Sequence, residues 1–285
     1  MRIILGAIVL VISFCSCGRG VVAIGAVAKP DGRYDAAFWE TWGDGFAEVS
    51  IYELQSPRDG EMRSGEAIAI FSSEEREGQP VIEMKWQRNL QTGISDSSEM
   101  TVCELSLVGG VLGKASFSRQ SWDGHSFKEL VFGKTGMPLG DGVSEDGLVF
   151  WARGMGAPFL AAGESKAVPF LTGLRSAQDA GQPVAWSRIN LTRGGATQKI
   201  EVAAGEFEVE TYSAQLGNGN SYLYLVEAAA PHRVVRWEYT KGEVGELYSS
   251  ERMKHWEMKR PGGEEALKSM GLEPRAPRFV PEDEP

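Results

Sequence analysis

Trp122-Asp123-Gly124-His125 sets a carboxylate and an imidazole two residues apart. That is the inventory of a general base and the group that orients it, so Asp123 and His125 are weak catalytic candidates for a hydrolase or transferase. The four residues also fall between two strand-like segments, and Asp-Gly is a preferred centre for a two-residue hairpin turn, whose central positions take positive φ. The turn reading comes first. His232 and His255 stand far apart with charged or aromatic neighbours, and no His, Cys or carboxylate spacing suits a metal ion. Cys103, between Val102 and Glu104, sits where a strand wants a small buried residue. There is no Gly-x-Ser-x-Gly elbow, and Gly154-Met155-Gly156 lacks the third glycine of a dinucleotide loop. No metal and no cofactor are expected, and the balance leans away from an enzyme.

Ligand-lining chemistry is the stronger candidate. Trp86, Tyr222, Tyr224 and Trp237, with Tyr239 and Trp256, could line one concavity. Ordinary core packing is the competing reading. Ile68 and Ile70 join the candidates because the strand that carries them is apolar on both faces, Ala67, Ala69 and Phe71 lying opposite.

The elements that would position these groups are strands. From Phe46 onward period-two alternation dominates, as in Ala47, Val49 and Ile51 against Glu48 and Ser50, or Phe207, Val209 and Thr211 against Glu206, Glu208 and Glu210. Further strands are expected over 66–72, 81–91, 101–108, 114–122 and 125–132, then 184–191, 198–202, 206–215, 220–227, 233–239 and 245–250. Turn chemistry separates them at Pro57-Arg58-Asp59-Gly60, Gly194-Gly195 and Gly217-Asn218-Gly219. Spacings near ten residues with short turns imply antiparallel pairing. Only 35–42, 157–180 (broken by Pro169) and 264–270 look helical. The expected fold is mainly β: a strongly curved antiparallel sheet or partial β-barrel with one or two short helices, the 157–180 segment covering one opening. The β domain spans 46–272, in halves 46–155 and 181–260, with a tether and short helix over 24–45 before it and a loose tail, 273–285, after it.

The chain opens on Met1-Arg2 and an apolar run from Ile3 to Phe14, shorter than the roughly 20 residues a membrane span needs. An export signal over 1–23 is the reading. Ser13-Phe14-Cys15-Ser16-Cys17 resembles a lipoprotein box in which Cys17 becomes the lipidated N-terminus, and cutting after Ala23 or Ala28 is the alternative. Removal of the signal leaves Cys103 with no certain cysteine partner, so burial has to stabilise the fold. The net charge of −10, without a basic cluster, argues against nucleic acid and against docking on anionic lipid. A membrane enters only through an N-terminal lipid anchor, and the location expected is periplasmic or lipid-anchored in a bacterial envelope.

Trp42-Gly43-Asp44-Gly45, Pro57-Arg58-Asp59-Gly60-Glu61-Met62-Arg63-Ser64-Gly65-Glu66-Ala67, Leu90-Gln91-Thr92-Gly93 and Ser121-Trp122-Asp123-Gly124-His125 look like a group of uncharacterised bacterial secreted proteins or lipoproteins. Ala203-Ala204-Gly205-Glu206-Phe207-Glu208-Val209 and Pro231-His232-Arg233-Val234-Val235-Arg236-Trp237 are similar to domain-of-unknown-function family 3108. The resemblance implies a curved antiparallel sheet with a concave face, distantly like the lipoprotein carriers of the envelope, and supplies no catalytic residues. The function expected is therefore non-enzymatic: an envelope protein that holds a lipid-like, apolar or amphipathic ligand, or an envelope protein partner, in its concave face. A structural or assembly role is the further alternative.

Overall fold

The structure, a computed structural model, describes residues 33–58, 60–93, 95–133, 136–254, 256, 260 and 262–273. The expected signal segment, Cys17, the expected tether up to residue 32, His255 and residues from 274 on lie outside the described residues.

Thirteen strands make one sheet among the described residues. The first half is a meander of β1 (Ala47–Arg58), β2 (Glu61–Arg76), β3 (Gln79–Thr92), β4 (Ser95–Ser106), β5 (Val111–Ser121) and β6 (Gly124–Val131). The second comprises β7 (Val143–Ser144), β8 (Ser165–Leu171), β9 (Trp186–Val202), β10 (Gly205–Leu216), β11 (Ser221–Glu227), β12 (Val234–Tyr239) and β13 (Val244–Met253). The spatial order runs β6 to β1, then β13 down to β7, so the first and last strands join the halves and β6 and β7 are left as edges. Neighbours pair antiparallel except β7 with β8. The expected curved, barrel-like antiparallel sheet is present, and it does not close.

Period-two alternation sends one residue set inward. Tyr52 and Leu54 of β1, Ala67, Ala69 and Phe71 of β2, Met84, Trp86 and Leu90 of β3, and Trp237 of β12 belong to one buried core. Four short helices are present among the described residues, more than expected: α1 (Ala36–Trp42), α2 (Leu148–Ala152), α3 (Leu174–Asp179) and α4 (Glu265–Ser269). All five residues of α2, Leu-Val-Phe-Trp-Ala, are buried, which is how a helix apolar on every side must sit. It fills the concave side of the sheet, with the Phe150 ring edge-on to Phe71 and Trp151 edge-on to Tyr212.

Two expectations about elements are corrected. Residues 157–180 are not mainly helical, since β8 occupies the middle and only α3 is helix. Pro169 fits there because β8 pairs with β9 on one side, while on the other the short β7 engages only Phe170 and Leu171. Gly194-Gly195 is not a turn either. It lies inside β9, where the register against β10 jumps between Glu210 and Tyr212, a bulge that two residues without Cβ accommodate.

The outer face of β1 and β2 explains the doubly apolar pattern. Val49 and Ile51, with Ile68 and Ile70, pack against Met270 and Leu272, which flank the end of α4. At one end of the curl α1 acts as a lid: Asp35 caps it through the Phe38 amide, and Trp42 is buried. Arg153, just after α2, locks that end. Its guanidinium donates to Glu48 Oε2 at 2.7 Å, to the His232 carbonyl at 2.9 Å and to the Pro231 carbonyl at 3.0 Å. It lies 4.2 Å over the Phe71 ring and 5.5 Å from that of Trp42. The Arg153 and Glu48 side chains are each 1% exposed, so both charges depend on this pairing.

Candidate functional site

The other end of the curl is open. A mouth of about 470 Å³ lies between the β1–β2 end, the β5–β6 turn, α3, and the turns flanking β11 and β12. Its floor is an ion network built from interior-facing strand positions. Arg88, Glu99 and Arg119 are direct cross-strand neighbours on β3, β4 and β5, and α3 adds Arg175 and Asp179. Glu99, 1% exposed, accepts from Arg119 Nε at 2.9 Å, from Arg175 Nε at 2.8 Å and from Arg58 Nη2. Burial pushes its carboxyl up, but Arg175, Arg58 and Arg119 outweigh burial and hold it below the usual range. Glu243 accepts from Arg88 Nε at 3.2 Å, Ser56 Oγ at 3.1 Å and Trp237 Nε1 at 3.3 Å, and its carboxylate lies 2.7 Å from Arg175 Nη2. Burial works against ionisation there too, yet Arg175 and Arg88 bring it down to about 2.

Beneath the mouth lies a smaller cavity of about 50 Å³, lined by Trp86, Arg88, Asp146, Tyr224 and Tyr239 among others. Trp86 Nε1 has no partner there, and an orphaned buried donor of this kind is commonly met by an ordered water. Glu145 and Asp146 receive the start of α3: Gly173 N donates to Glu145 Oε2 at 2.9 Å, and Leu174 N to Asp146 Oδ2 at 3.1 Å. Burial, with Glu145 next to it, raises the Asp146 carboxyl to about 7. Tyr224 and Tyr239 share a hydroxyl contact of 3.2 Å, and burial lifts Tyr239 to about 12. These tyrosines are neutral polar groups at neutral pH.

The candidates read from sequence separate. Tyr222 lines the mouth, 5.1 Å by ring centroid from Tyr239. Trp86 and Trp237 are core residues, 5.0 Å apart, with Tyr52 4.8 Å from Trp237, and Tyr224 is buried above α2. Ile68 and Ile70 are not with them. They face the opposite side of the sheet, because β2 alternates and Ala67, Ala69 and Phe71 take the interior. Asp123 borders the mouth. His125 pairs across from Gln120 on the exposed outer side of β6, so the two candidates of the catalytic reading do not converge. Ser121 pairs with Gly124, which makes Trp122-Asp123 the centre of the turn instead of Asp123-Gly124, with the positive φ, 128°, on Gly124. Cys103 is fully buried, and burial pushes its thiol well up. No group of three or more His, Cys, Asp or Glu suited to a metal occurs among the described residues.

Arg58, Arg88, Glu99, Arg119, Arg175 and Glu243 were not singled out from sequence. The signal was present in Trp86-Gln87-Arg88-Asn89-Leu90 and in Glu99-Met100-Thr101-Val102-Cys103, where a charge sits on the inward phase of a strand. A charge in that phase needs an opposite charge across the sheet.

No protein-family model matches the chain, and no curated protein does. Membership of family 3108, expected from the short motifs, is therefore not shown. Among solved structures the chain is similar to a beta-barrel-like protein of domain of unknown function DUF1849 from Brucella abortus, at 8% identity and TM-score 0.42, over 74% of this chain and 98% of that one.

Proposed function

We propose that the protein is an exported, non-enzymatic binding protein of a bacterial envelope, and that it takes its ligand, or the polar part of an amphipathic one, in the mouth of the curled sheet. The observation that carries this reading is the mouth itself: a cavity of about 470 Å³ whose charged floor is fixed by paired side chains before any ligand arrives. Preorganised polar groups in a concave site are what a binding protein needs. The concave face, the first expectation for a lipid chain, is occupied by α2 and its neighbours, so an apolar tail would have to displace buried Leu148, Phe150 and Trp151. Cys17 as the lipidated residue would tether the domain beside a membrane, and cutting after Ala23 or Ala28 would free it. The mass of the mature N-terminus decides between these.

Native mass spectrometry on protein released from its own envelope tests the mouth. The expected result is a small co-purifying molecule that Lys241→Trp, at an exposed rim position, removes with the melting temperature unchanged. A ligand retained equally by that variant would place binding elsewhere. A second reading, an assembly protein that offers its sheet edge to an envelope partner, is supported by β6, where Phe127 is 60% exposed. Cross-linking from Lys128 that recovers no stable partner would remove it.

A further inference from the structure

We propose that the ligand class of the mouth is a neutral saccharide of two to four units, an inference that rests on the mouth being the binding site.

The charge balance argues first. Arg58, Arg88, Arg119 and Arg175 face Glu99, Asp179 and Glu243 in continuous pairs. Four positive charges against three negative leave one in surplus, and the lining adds one charge of each sign in Lys241 and Asp123. A phosphate or carboxylate ligand would have to compete with Glu99 and Glu243 for guanidinium groups that already hold them. An organic cation would meet the same guanidiniums as like charges. A ligand without formal charge disturbs none of the pairs.

The polar groups of the lining argue second. Ser97, Ser121, Ser176, Ser221 and Thr240 carry hydroxyls in the lining, Ser176 already donating to Glu145 and Ser221 already paired with Thr240 at 2.7 Å, and Asn220 carries an amide. A hydroxyl already used on one side keeps an accepting lone pair, and one unused keeps its donor too, so the lining meets sugar hydroxyls in both roles, while an amide bridges two neighbouring hydroxyls with one donor and one acceptor. Planar guanidinium and carboxylate groups, held by their mutual pairing, can still offer spare N–H groups and lone pairs to the same ring hydroxyls. This density of two-way groups is wasted on an acyl chain and suited to a polyol.

The aromatics argue third. Tyr222 and Tyr239 form part of the wall, and Trp122, between the lining residues Ser121 and Asp123, is 77% exposed. A tryptophan left this open on a tight turn stabilises nothing by burial. An indole face matches the C–H face of a pyranose ring, apolar surface on one side with hydroxyl edges left to the polar groups. The volume is adequate for two or more sugar rings and lies within the range of small-ligand sites.

The test is titration of the whole mature protein with cellobiose, maltotriose and chitotriose, read by tryptophan fluorescence and calorimetry, beside inorganic phosphate and a short-chain phospholipid as controls. At least one saccharide should bind saturably. Its affinity should change little between low salt and about 0.5 M salt, because no ion pair forms with it. Trp122→Ala should weaken it about tenfold, the upper part of the range for one aromatic contact. Lys241→Trp should abolish it. The thermal midpoint should be unaffected by either change, which separates lost contact from lost fold. Saccharide binding that is indifferent to both variants overturns the proposal. Binding of phosphate or of the phospholipid alone, sensitive to Lys241→Trp, overturns the saccharide class and leaves the mouth reading standing. A mouth that takes none of the three classes removes both.

Discussion

Arg153 gives the sharpest test of how the far end of the curl is held. Replacing it by Met keeps an unbranched apolar stem but removes the charge that Glu48 faces at 2.7 Å, with both side chains 1% exposed. It also leaves the carbonyls of Pro231 and His232 without this donor. An uncompensated buried charge costs about 3–5 kcal/mol, and the lost carbonyl bonds and the contact over Phe71 act in the same direction. The expected loss in urea unfolding at neutral pH is about 4 kcal/mol, a large share of the 5–15 kcal/mol typical of a whole domain. Glu48→Gln together with Arg153→Met should recover about half of it, because neutralising both partners removes the charge that the single change strands. The slope against urea should stay constant across the set, so that midpoints report stability alone. A loss below about 1 kcal/mol for Arg153→Met, or strict additivity in the cycle, would refute the argument that this pair is a dry lock.

Gly245→Ala should destabilise by about 3 kcal/mol, since a Cβ there would sit 2.1 Å from Trp237 Cη2 inside the packed core; equal urea midpoints and unchanged near-UV dichroism for the variant would contradict the packing described. Asp146 predicts a pH dependence. Its folded value of about 7 lies above an unfolded value of about 3.9, so the folded state holds the extra proton between them. Stability from this group therefore falls as pH rises from about 4 to 7, by at most about 4 kcal/mol, and is not regained above. Asp146→Asn should flatten that part of the curve measured by urea unfolding at closely spaced pH values; parallel curves for the two proteins would show that the carboxyl ionises as if in water.

The β architecture was legible because its cause is local: alternation over 206–209 puts Phe207 and Val209 on one face before any partner strand is known, whereas in 47–51 it marks two faces without telling which is inner, and the apolar Val49 and Ile51 turn to the outer side under α4. What failed were places where the pattern has two solutions. Leu148 to Ala152 is as apolar as a buried strand and too short for a helical period to declare itself, and only its placement inside the sheet makes it a helix. Gly194-Gly195 reads equally as a turn or a bulge, and the long pairing of β9 with β10 decided for the bulge. The mouth was harder still. Tyr222 was visible as an aromatic, but Glu99 and Arg175 lie 76 residues apart and become partners only once α3 is docked against the end of the sheet. Trp86 and Trp237 carry the same residue type as a binding wall and serve as core, packed with Tyr52 and, for Trp237, against Gly245, partners that only the paired sheet brings together.

The pairing of the first strand with the last also has a consequence for how the chain can be cut. Ala47 lies directly opposite Met253, so the two ends of the sheet-forming chain leave it side by side. A short linker joining them, with new ends opened in the 133–142 connection between β6 and β7, would preserve every strand pair of the sheet while moving the chain's ends to its two free edges. The two halves, each a run of neighbouring strands, would then be contiguous through β13 and β1 in sequence as they already are in space. Expressed separately without the linker, they have only the β1–β13 seam and the shared core with which to find each other.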